Sequence, residues 1–243
     1  MVTTQGFFNL RTCDSWEPES FDQYEETWHP TFHAFYDALS FTKNQSTNQH
    51  LIGSPVTLTH YDKSKLIELV KQESLRVGSF TLASGRTASY YLDCRCVTLH
   101  PQGANQIALG ILAEMSQWGW LPQAVGGMAI GADPITAAIV TIAGQRDQSL
   151  RGFMVRKEPK GHGTGQQVEG PVEPGQSVVI VEDVITSGGS AIKAAEICRA
   201  FGLNVLGVIA VVDRLAGGEK AFAAAGLSLK TLLTIRDLGL QPE

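Results

Sequence analysis

The stretch VVIVEDVITSGGSA, residues 178–191, joins an apolar run to two adjacent carboxylates and then to a turn rich in glycine and hydroxyl groups. We predict that residues 178–181 form a buried strand and that residues 187–190 open a helix. The backbone N–H groups of such a turn point at a common centre, with the helix dipole behind them, which suits a phosphate. The same turn contains hydroxyls that can donate further hydrogen bonds and glycines that allow close approach of the backbone. Its residues are Thr186, Ser187, Gly188, Gly189 and Ser190.

The two carboxylates, Glu182 and Asp183, repel phosphate and must therefore face another part of the ligand. Vicinal sugar hydroxyls donate hydrogen bonds to carboxylates, and a divalent cation bridging those hydroxyls adds to the attraction. The combined ligand predicted by the stretch is a ribose 5-phosphate.

Two better-known nucleotide motifs fit less well. A dinucleotide fingerprint needs G-x-G-x-x-G at the start of the helix, whereas this turn has only adjacent glycines. The segment GPVEPGQS, residues 170–177, approaches a P-loop, but Gln176 replaces the lysine and the segment precedes a strand. A glycine-rich turn without any ligand is the remaining alternative.

A second cluster, RKEPKGHGTG at residues 156–165, places four cationic or protonatable groups within seven positions: Arg156, Lys157, Lys160 and His162. Charge runs are usually solvated surface. Here the interleaved glycines predict a mobile segment, and the charges are those that a pyrophosphate with its metal requires.

The elements that must position these groups alternate between apolar strands and helices, which predicts a parallel sheet covered on both faces. Ligands of such sheets bind at the carboxyl ends of the strands, where GGMAIG, VRKE, VEDV and VVDR all end. We therefore expect these four segments to converge.

Three local expectations accompany this pattern. Residues 62–78 have the apolar stripe of a helix, with Gly78 as the C-cap candidate. A later helix is predicted at residues 133–144, with Asp133 as its N-cap and Pro134 at its first position. Cys94 and Cys96 would lie on one face of a strand as packed or idle thiols, because no second Cys/His pair follows at zinc spacing.

Composition excludes several classes of protein. The net charge of −5 gives no general basic surface, so neither nucleic acid nor an anionic membrane is expected as a partner. The four cysteines and the lack of a basic-then-apolar N-terminal segment predict a cytoplasmic protein. No apolar run reaches the ~18 residues of a membrane helix.

The first 60 residues differ from the rest, being rich in Thr, Ser, Gln, Asn and aromatic residues. We predict a poorly ordered or partly helical extension at residues 1–60, although the spacing of Phe32, Phe35, Tyr36 and Leu39 leaves a docking helix open. Residues 61–243 are predicted to form the functional domain.

The stretch VVIVEDVITSGGS resembles the signature by which type I phosphoribosyltransferases bind phosphoribosyl pyrophosphate. FTLASGR at residues 80–86, RKEPKGHGTG and VVDR at residues 211–214 are similar, in order and spacing, to segments of orotate phosphoribosyltransferases. The resemblance extends from about residue 62 to the C-terminus. It implies a type I phosphoribosyltransferase fold, α/β with a mainly parallel sheet flanked by helices and a small N-terminal hood.

The resemblance also implies an activity, a cofactor and an assembly. Orotate and 5-phosphoribosyl 1-pyrophosphate would give orotidine 5′-monophosphate and pyrophosphate, a step in pyrimidine biosynthesis leading to UMP. Mg²⁺ would be held mainly through the substrate, without metal ligands assigned to the protein. The family comparison further implies a homodimer with shared active sites, in which residues 156–165 close over pyrophosphate in the neighbouring subunit.

Residue roles follow from the same resemblance. Lys160 and Asp183 are the catalytic candidates, and Thr186 with Arg214 would bind orotate, because a guanidinium fork can pair with a planar carboxylate. The predicted contacts to phosphoribosyl pyrophosphate are Arg156, Lys157, Lys160, His162, Glu182, Asp183, Val184, Ile185, Thr186, Ser187, Gly188, Gly189 and Ser190.

The chain departs from the family pattern at two places. Many members have lysine where this chain has Ala83, and many have an aromatic-lysine pair near Ile130. No pyrophosphate contact is therefore assigned to residues 129 and 130, and Arg86 is only a secondary candidate. Two other functions stay open: a phosphoribosyltransferase that salvages a purine or uracil, and a non-catalytic regulator that senses phosphoribosyl pyrophosphate.

Overall fold

The structure is a computed structural model that describes residues 60–81, 87–159 and 166–242. The predicted extension at residues 1–60 therefore lies outside the described residues except for His60. The same holds for the turn that contains Ala83 and Arg86, and for Lys160 and His162.

The central sheet has six strands in the order β5-β4-β3-β6-β7-β8, and a separate two-stranded antiparallel sheet pairs β1 with β2. All neighbours in the central sheet are parallel except the short edge strand β5, as the alternating pattern predicted. The strands are β1 Leu75–Thr81, β2 Thr87–Leu92, β3 Ala124–Met128, β4 Arg151–Val155, β5 Val168–Glu169, β6 Ser177–Ile185, β7 Asn204–Asp213 and β8 Leu229–Thr234.

Helices cover both faces of this sheet. The described helices are α1 Lys63–Leu69, α2 Arg95–Thr98, α3 Pro101–Gln117, α4 Asp133–Gly144, α5 Gly189–Phe201 and α6 Gly218–Ala224. Val179 and Val181 of β6 pack in the cluster that contains Ile107 of α3, whereas Val178 and Ile180 pack in the cluster that contains Cys198 of α5. The two-residue alternation explains why β6 is apolar on both faces.

The predicted helix at residues 62–78 is wrong in its second half. The α-helix ends at Leu69, a π-helical turn spans Val70–Ser74, and Gly78 lies inside β1. Leu66 and Val70 are buried, as the helical stripe requires, but the buried Leu75 already belongs to a strand paired with Leu92. Pairing with β2 supplies backbone hydrogen bonds that the helical pattern could not anticipate.

Two smaller predictions are also corrected. Cys94 and Cys96 do not lie on a strand: Cys94 is the N-cap of α2, where it is buried, and Cys96 is exposed. Residues two apart in a helix point to different sides, so the pair cannot act together. Asp133 is the first residue of α4, not its N-cap, which is the buried Ala132.

The longest described helix, α3, has 17 residues, so within residues 60–81, 87–159 and 166–242 no helix has both the length and the hydrophobicity of a membrane span.

Candidate active site

The carboxyl ends of β3, β4, β6 and β7 meet at one edge of the sheet, as predicted. Gly131, which follows β3, lies against the carboxylate of Asp183, and the charge of Lys157, which follows β4, acts on Glu182. The backbone N–H of Arg214, after β7, donates to the carbonyl of Ile185 at 2.9 Å. Segments distant in the sequence therefore share one site.

The turn between β6 and α5, called the cradle below, has the geometry of an anion-binding site. Gly188 precedes α5 with a φ of 83°, and no side chain caps the N–H groups of that helix. A Cβ at Gly188 would lie 2.6 Å from Cε2 of Phe222, so conformation and packing both require glycine. The cradle opens into a cavity of about 390 Å³ lined by Glu182, Val184, Ile185, Thr186, Ser187, Gly188, Gly189, Ser190 and Ala191.

Glu182 is nearly buried, with 6% of its surface exposed. Its Oε1 accepts a hydrogen bond from the backbone N–H of Asp183 at 3.3 Å, whereas Oε2 is buried without a partner among the described residues. Burial, and after it the neighbouring Asp183 carboxylate, raise the pKa of Glu182 from 4.5 to about 8, although the charge of Lys157 opposes the shift. A ligand that brings a hydroxyl donor or a cation would satisfy this oxygen.

Asp183 contacts the loop after β3. Its Oδ1 accepts from the N–H of Val184 at 2.8 Å, and a Cβ built on Gly131 would lie 3.1 Å from that same oxygen. Sequence analysis did not identify Gly131, although it predicted that the segment GGMAIG ends at this edge of the sheet.

Arg156 and Lys157 occupy different environments. Arg156 forms a 3.0 Å ion pair with Glu169, and its backbone N–H donates to the carbonyl of Gln167 at 2.8 Å. The side-chain amide of Gln167 donates to the carbonyls of Arg156 and Lys157, at 3.1 and 3.3 Å. These contacts join residues 156–157 to residues 167–169, whereas Lys160 and His162 lie outside the described residues.

Lys157 lies near the cradle, since it shares the lining of a second cavity with Gly189 and Ser190. This cavity of about 340 Å³ adjoins the first and is lined by Met128, Lys157, Glu158, Gly189, Ser190 and Lys193. Sequence analysis missed Lys193, which lies three residues after Ser190 on α5 and adds positive charge beside the cradle.

Arg214 is held by a residue that sequence analysis also missed. Its Nε donates a hydrogen bond to the hydroxyl of Tyr90 at 2.9 Å, and its guanidinium carbon lies 4.8 Å from the centroid of the same ring. Tyr90 belongs to β2 and precedes Arg214 by 124 positions. No local pattern could have connected the two residues.

A further cavity, of about 340 Å³, lies at the opposite edge of the sheet, before β3 and β4 begin. Its lining carries no acidic or basic side chain: Leu112, Met115, Ser116, Trp120, Leu121, Pro122, Gln148, Ser149 and Leu150. Because no titratable or charged groups converge there, the candidate active site is the polar edge that carries Glu182 and Arg214.

Comparison with known proteins gives consistent matches. Residues 126–225 match the family described as the phosphoribosyl transferase domain. A curated relative from Rhodopirellula baltica, named orotate phosphoribosyltransferase, is 66% identical over 185 residues, which cover 74% of this chain and 96% of the relative. The relative of the same name from Aquifex aeolicus is 40% identical over 180 residues, covering 73% of this chain and 97% of the relative.

A solved structure gives the same result. Orotate phosphoribosyltransferase from Mycobacterium tuberculosis, in complex with 5-phospho-alpha-D-ribosyl 1-diphosphate, is 36% identical, with a TM-score of 0.62. The match covers 73% of this chain and 99% of that chain. In these comparisons the N-terminal region of the present chain lies outside the family domain.

Proposed function

We propose the function from family membership and site geometry together, since this chain belongs to the orotate phosphoribosyltransferases. The fold is the type I phosphoribosyltransferase fold expected from the sequence. The protein transfers ribose 5-phosphate from 5-phosphoribosyl 1-pyrophosphate to orotate, giving orotidine 5′-monophosphate and pyrophosphate. The observation that carries this assignment is the anion cradle beside two carboxylates, with Arg214 on the adjoining strand end.

The cradle binds the 5-phosphate of the donor. Backbone N–H groups from Thr186 to Ser190, at the uncapped start of α5, surround the phosphate, and the helix dipole favours its charge. Val184 and Ile185 line the same cavity. The part of the site that binds the 5-phosphate is therefore built mainly from backbone groups. This fits the roles predicted for Val184 and Ile185, whose side chains are apolar.

Glu182 and Asp183 accept hydrogen bonds from the ribose hydroxyls. The unpartnered Oε2 of Glu182, together with the nearby Asp183, also suits a hard divalent cation such as Mg²⁺. We propose that this cation is bound mainly through oxygens of the substrate. When bound, Mg²⁺ supplies positive charge that stabilises pyrophosphate.

Bond breaking at the anomeric carbon needs no covalent nucleophile. Positive charge develops on the ribose and negative charge on pyrophosphate, so catalysis is positioning plus electrostatic stabilisation. Asp183 stabilises the ribose, whereas Lys157, Lys160 and His162 stabilise the leaving group. Arg156 joins them by exchanging Glu169 for pyrophosphate, a change that its exposed ion pair permits at low cost.

Orotate binds between Arg214 and Thr186. The backbone of Arg214 is hydrogen-bonded to Ile185, the residue that precedes Thr186, so both groups reach the same space. The guanidinium binds the orotate carboxylate, and the Thr186 hydroxyl bonds to the pyrimidine. Uracil and purines lack that carboxylate, so salvage of these bases would make no use of Arg214.

The protein acts in the cytoplasm as a homodimer with shared active sites. Val77 and Tyr91 on the β1–β2 sheet and Ile130 beside the active site are exposed, with Val77 and Ile130 more than 70% accessible. The proposed interface between subunits would cover exposed apolar side chains of this kind. Residues 156–165 of one subunit would close over the pyrophosphate of the other, which excludes water during the reaction.

An ultraviolet assay tests the proposed function. Orotate absorbance should fall in the presence of phosphoribosyl pyrophosphate and Mg²⁺, and adenine, guanine and uracil should not be consumed. If one of these other bases is consumed and orotate is not, that base is the acceptor and the proposed function is wrong. Binding of phosphoribosyl pyrophosphate without consumption of any base would show a regulator instead of an enzyme.

A further inference from the structure

We propose that Tyr90 is a positioning residue that orients the guanidinium of Arg214 toward the carboxylate of orotate. The inference rests on the proposed orotate-binding role of Arg214. It adds a residue of the β1–β2 sheet to the determinants of acceptor specificity.

The contact between the two side chains fixes both direction and plane. The Tyr90 hydroxyl accepts a hydrogen bond from Arg214 Nε at 2.9 Å, and the Tyr90 ring lies 4.8 Å from the guanidinium carbon. Since the guanidinium is planar and its five N–H groups form a rigid fork, fixing Nε fixes the direction of every other N–H. Tyr90 itself is 2% exposed, so its ring has little freedom to turn.

The backbone of Arg214 is fixed as well. Its N–H donates to Ile185 at the end of β6, and the preceding Asp213 is buried with its Oδ1 accepting from the N–H of Leu215 at 2.8 Å. The arginine is therefore held at its base by the central sheet and at its head by Tyr90. Ordering a long side chain before the ligand arrives lowers the entropy lost on binding.

The position of Tyr90 depends on the small sheet. Tyr90 pairs with Val77 across the β1–β2 ladder, and the chain after β2 is tied back by the Asp93 N–H donating to the carbonyl of Ser74 at 2.9 Å. The β1–β2 sheet thus sets the orientation of the group that distinguishes a carboxylated pyrimidine from uracil.

The test is Tyr90→Phe, which removes the hydroxyl and keeps the ring and its volume. We expect the KM for orotate to rise about tenfold, as for a lost hydrogen bond to a charged group. The KM for phosphoribosyl pyrophosphate and kcat should change less than about twofold, because positioning affects only the acceptor. If the orotate KM does not change, or if both KM values and kcat change together, the inference is overturned.

Tyr61→Phe is the matched control. Tyr61 also has a buried hydroxyl, without a hydrogen-bond partner among the described residues, and it lies against Gly110 of α3 and packs on the core cluster that contains Leu232 of β8. This variant should leave the orotate KM unchanged. An equal rise in both variants would mean that loss of a buried hydroxyl, not loss of the Arg214 contact, causes the effect.

Arg214→Lys separates this inference from the proposed function. If Arg214→Lys raises the orotate KM and Tyr90→Phe does not, Arg214 binds orotate and the role of Tyr90 is wrong. If Arg214→Lys leaves the orotate KM unchanged, the proposed role of Arg214 fails, and the inference fails with it. In the double variant, Tyr90→Phe should raise the orotate KM little beyond the effect of Arg214→Lys, because Tyr90 acts through Arg214. If the two effects on the free energy of orotate binding add in full, the positioning role of Tyr90 is overturned.

Discussion

Glu182 and Asp183 are consecutive in β6, yet of the two only Glu182 lines the cavity at the turn between β6 and α5, whereas the Asp183 carboxylate lies against Gly131 of the loop after β3. The two acids therefore join different parts of the site. Glu182 is buried beside the cradle, and Asp183 connects β6 to the neighbouring strand end. Each relationship can be tested separately.

Glu182→Gln should change how stability depends on pH. The pKa of Glu182 is raised from 4.5 to about 8 in the folded protein, so the folded state holds the proton more tightly than the unfolded chain. The free energy of unfolding of the wild type should therefore fall as pH rises through this range, by about 1.4 kcal/mol per unit of pKa difference at most. Glutamine carries no proton to lose in this range. The free energy of unfolding of the variant, measured relative to that of the wild type, should therefore be higher at pH 8 than at pH 5.

Urea denaturation of both proteins at pH 5, 6.5 and 8 measures this difference. Parallel pH profiles for the wild type and Glu182→Gln would contradict the raised pKa. Glu173→Gln is a suitable control, because Glu173 is exposed and should leave the pH profile unchanged.

Gly131→Ala should weaken binding of phosphoribosyl pyrophosphate more than it affects stability. The new methyl group would lie 3.1 Å from Asp183 Oδ1, so the carboxylate or the loop must shift. A displaced carboxylate loses its alignment with the ribose hydroxyls, and we expect the KM for the donor to rise by about tenfold.

Gly144→Ala is the control for Gly131→Ala. Gly144 ends α4, and a Cβ there meets nothing within 4 Å. This change should leave steady-state kinetics unaltered and stabilise the helix slightly. Equal donor KM values for wild type and Gly131→Ala would contradict close contact between the loop and Asp183.

Gly188→Ala should destabilise the fold and impair the cradle together. The φ of 83° is unfavourable for alanine, and the methyl group would collide with the ring of Phe222. The two effects predict a loss of about 2 kcal/mol or more in the free energy of unfolding. Gly189→Ala, whose Cβ meets only Ser187 Oγ at 3.8 Å, should cost much less, and thermal denaturation compares the two. Equal losses would disprove the packing argument.

Lys160→Ala should lower kcat far more than it weakens orotate binding. The lysine is proposed to stabilise charge that appears on pyrophosphate only as the bond breaks, so its loss affects the transition state more than the ground state. Lys220→Ala, on the exposed surface of α6, is the control. Steady-state kinetics with both substrates varied gives the answer, and near-normal kcat in Lys160→Ala would remove this lysine from the leaving-group site.

Much of the site was predictable because its main features are local. The apolar residues 178–181, the two acids and the glycine-hydroxyl turn lie within 14 positions, and a buried strand followed by a helix is a local preference of such residues. The parallel order of the strands then brings the ends of β3, β4, β6 and β7 together. The sequence by itself therefore determined the anion cradle, its acids and the edge of the sheet on which they lie.

Only the tertiary structure decided which side chains hold these groups in place. Tyr90 meets Arg214 across 124 positions, and Arg156 pairs with Glu169 of an edge strand that the sequence did not predict. Burial in the folded protein raises the pKa of Glu182. The helical pattern of residues 62–78 failed for the same reason, since pairing of β1 with β2 outweighs local periodicity. Hydrogen bonds and burial between distant segments depend on packing, which no short pattern of residues encodes.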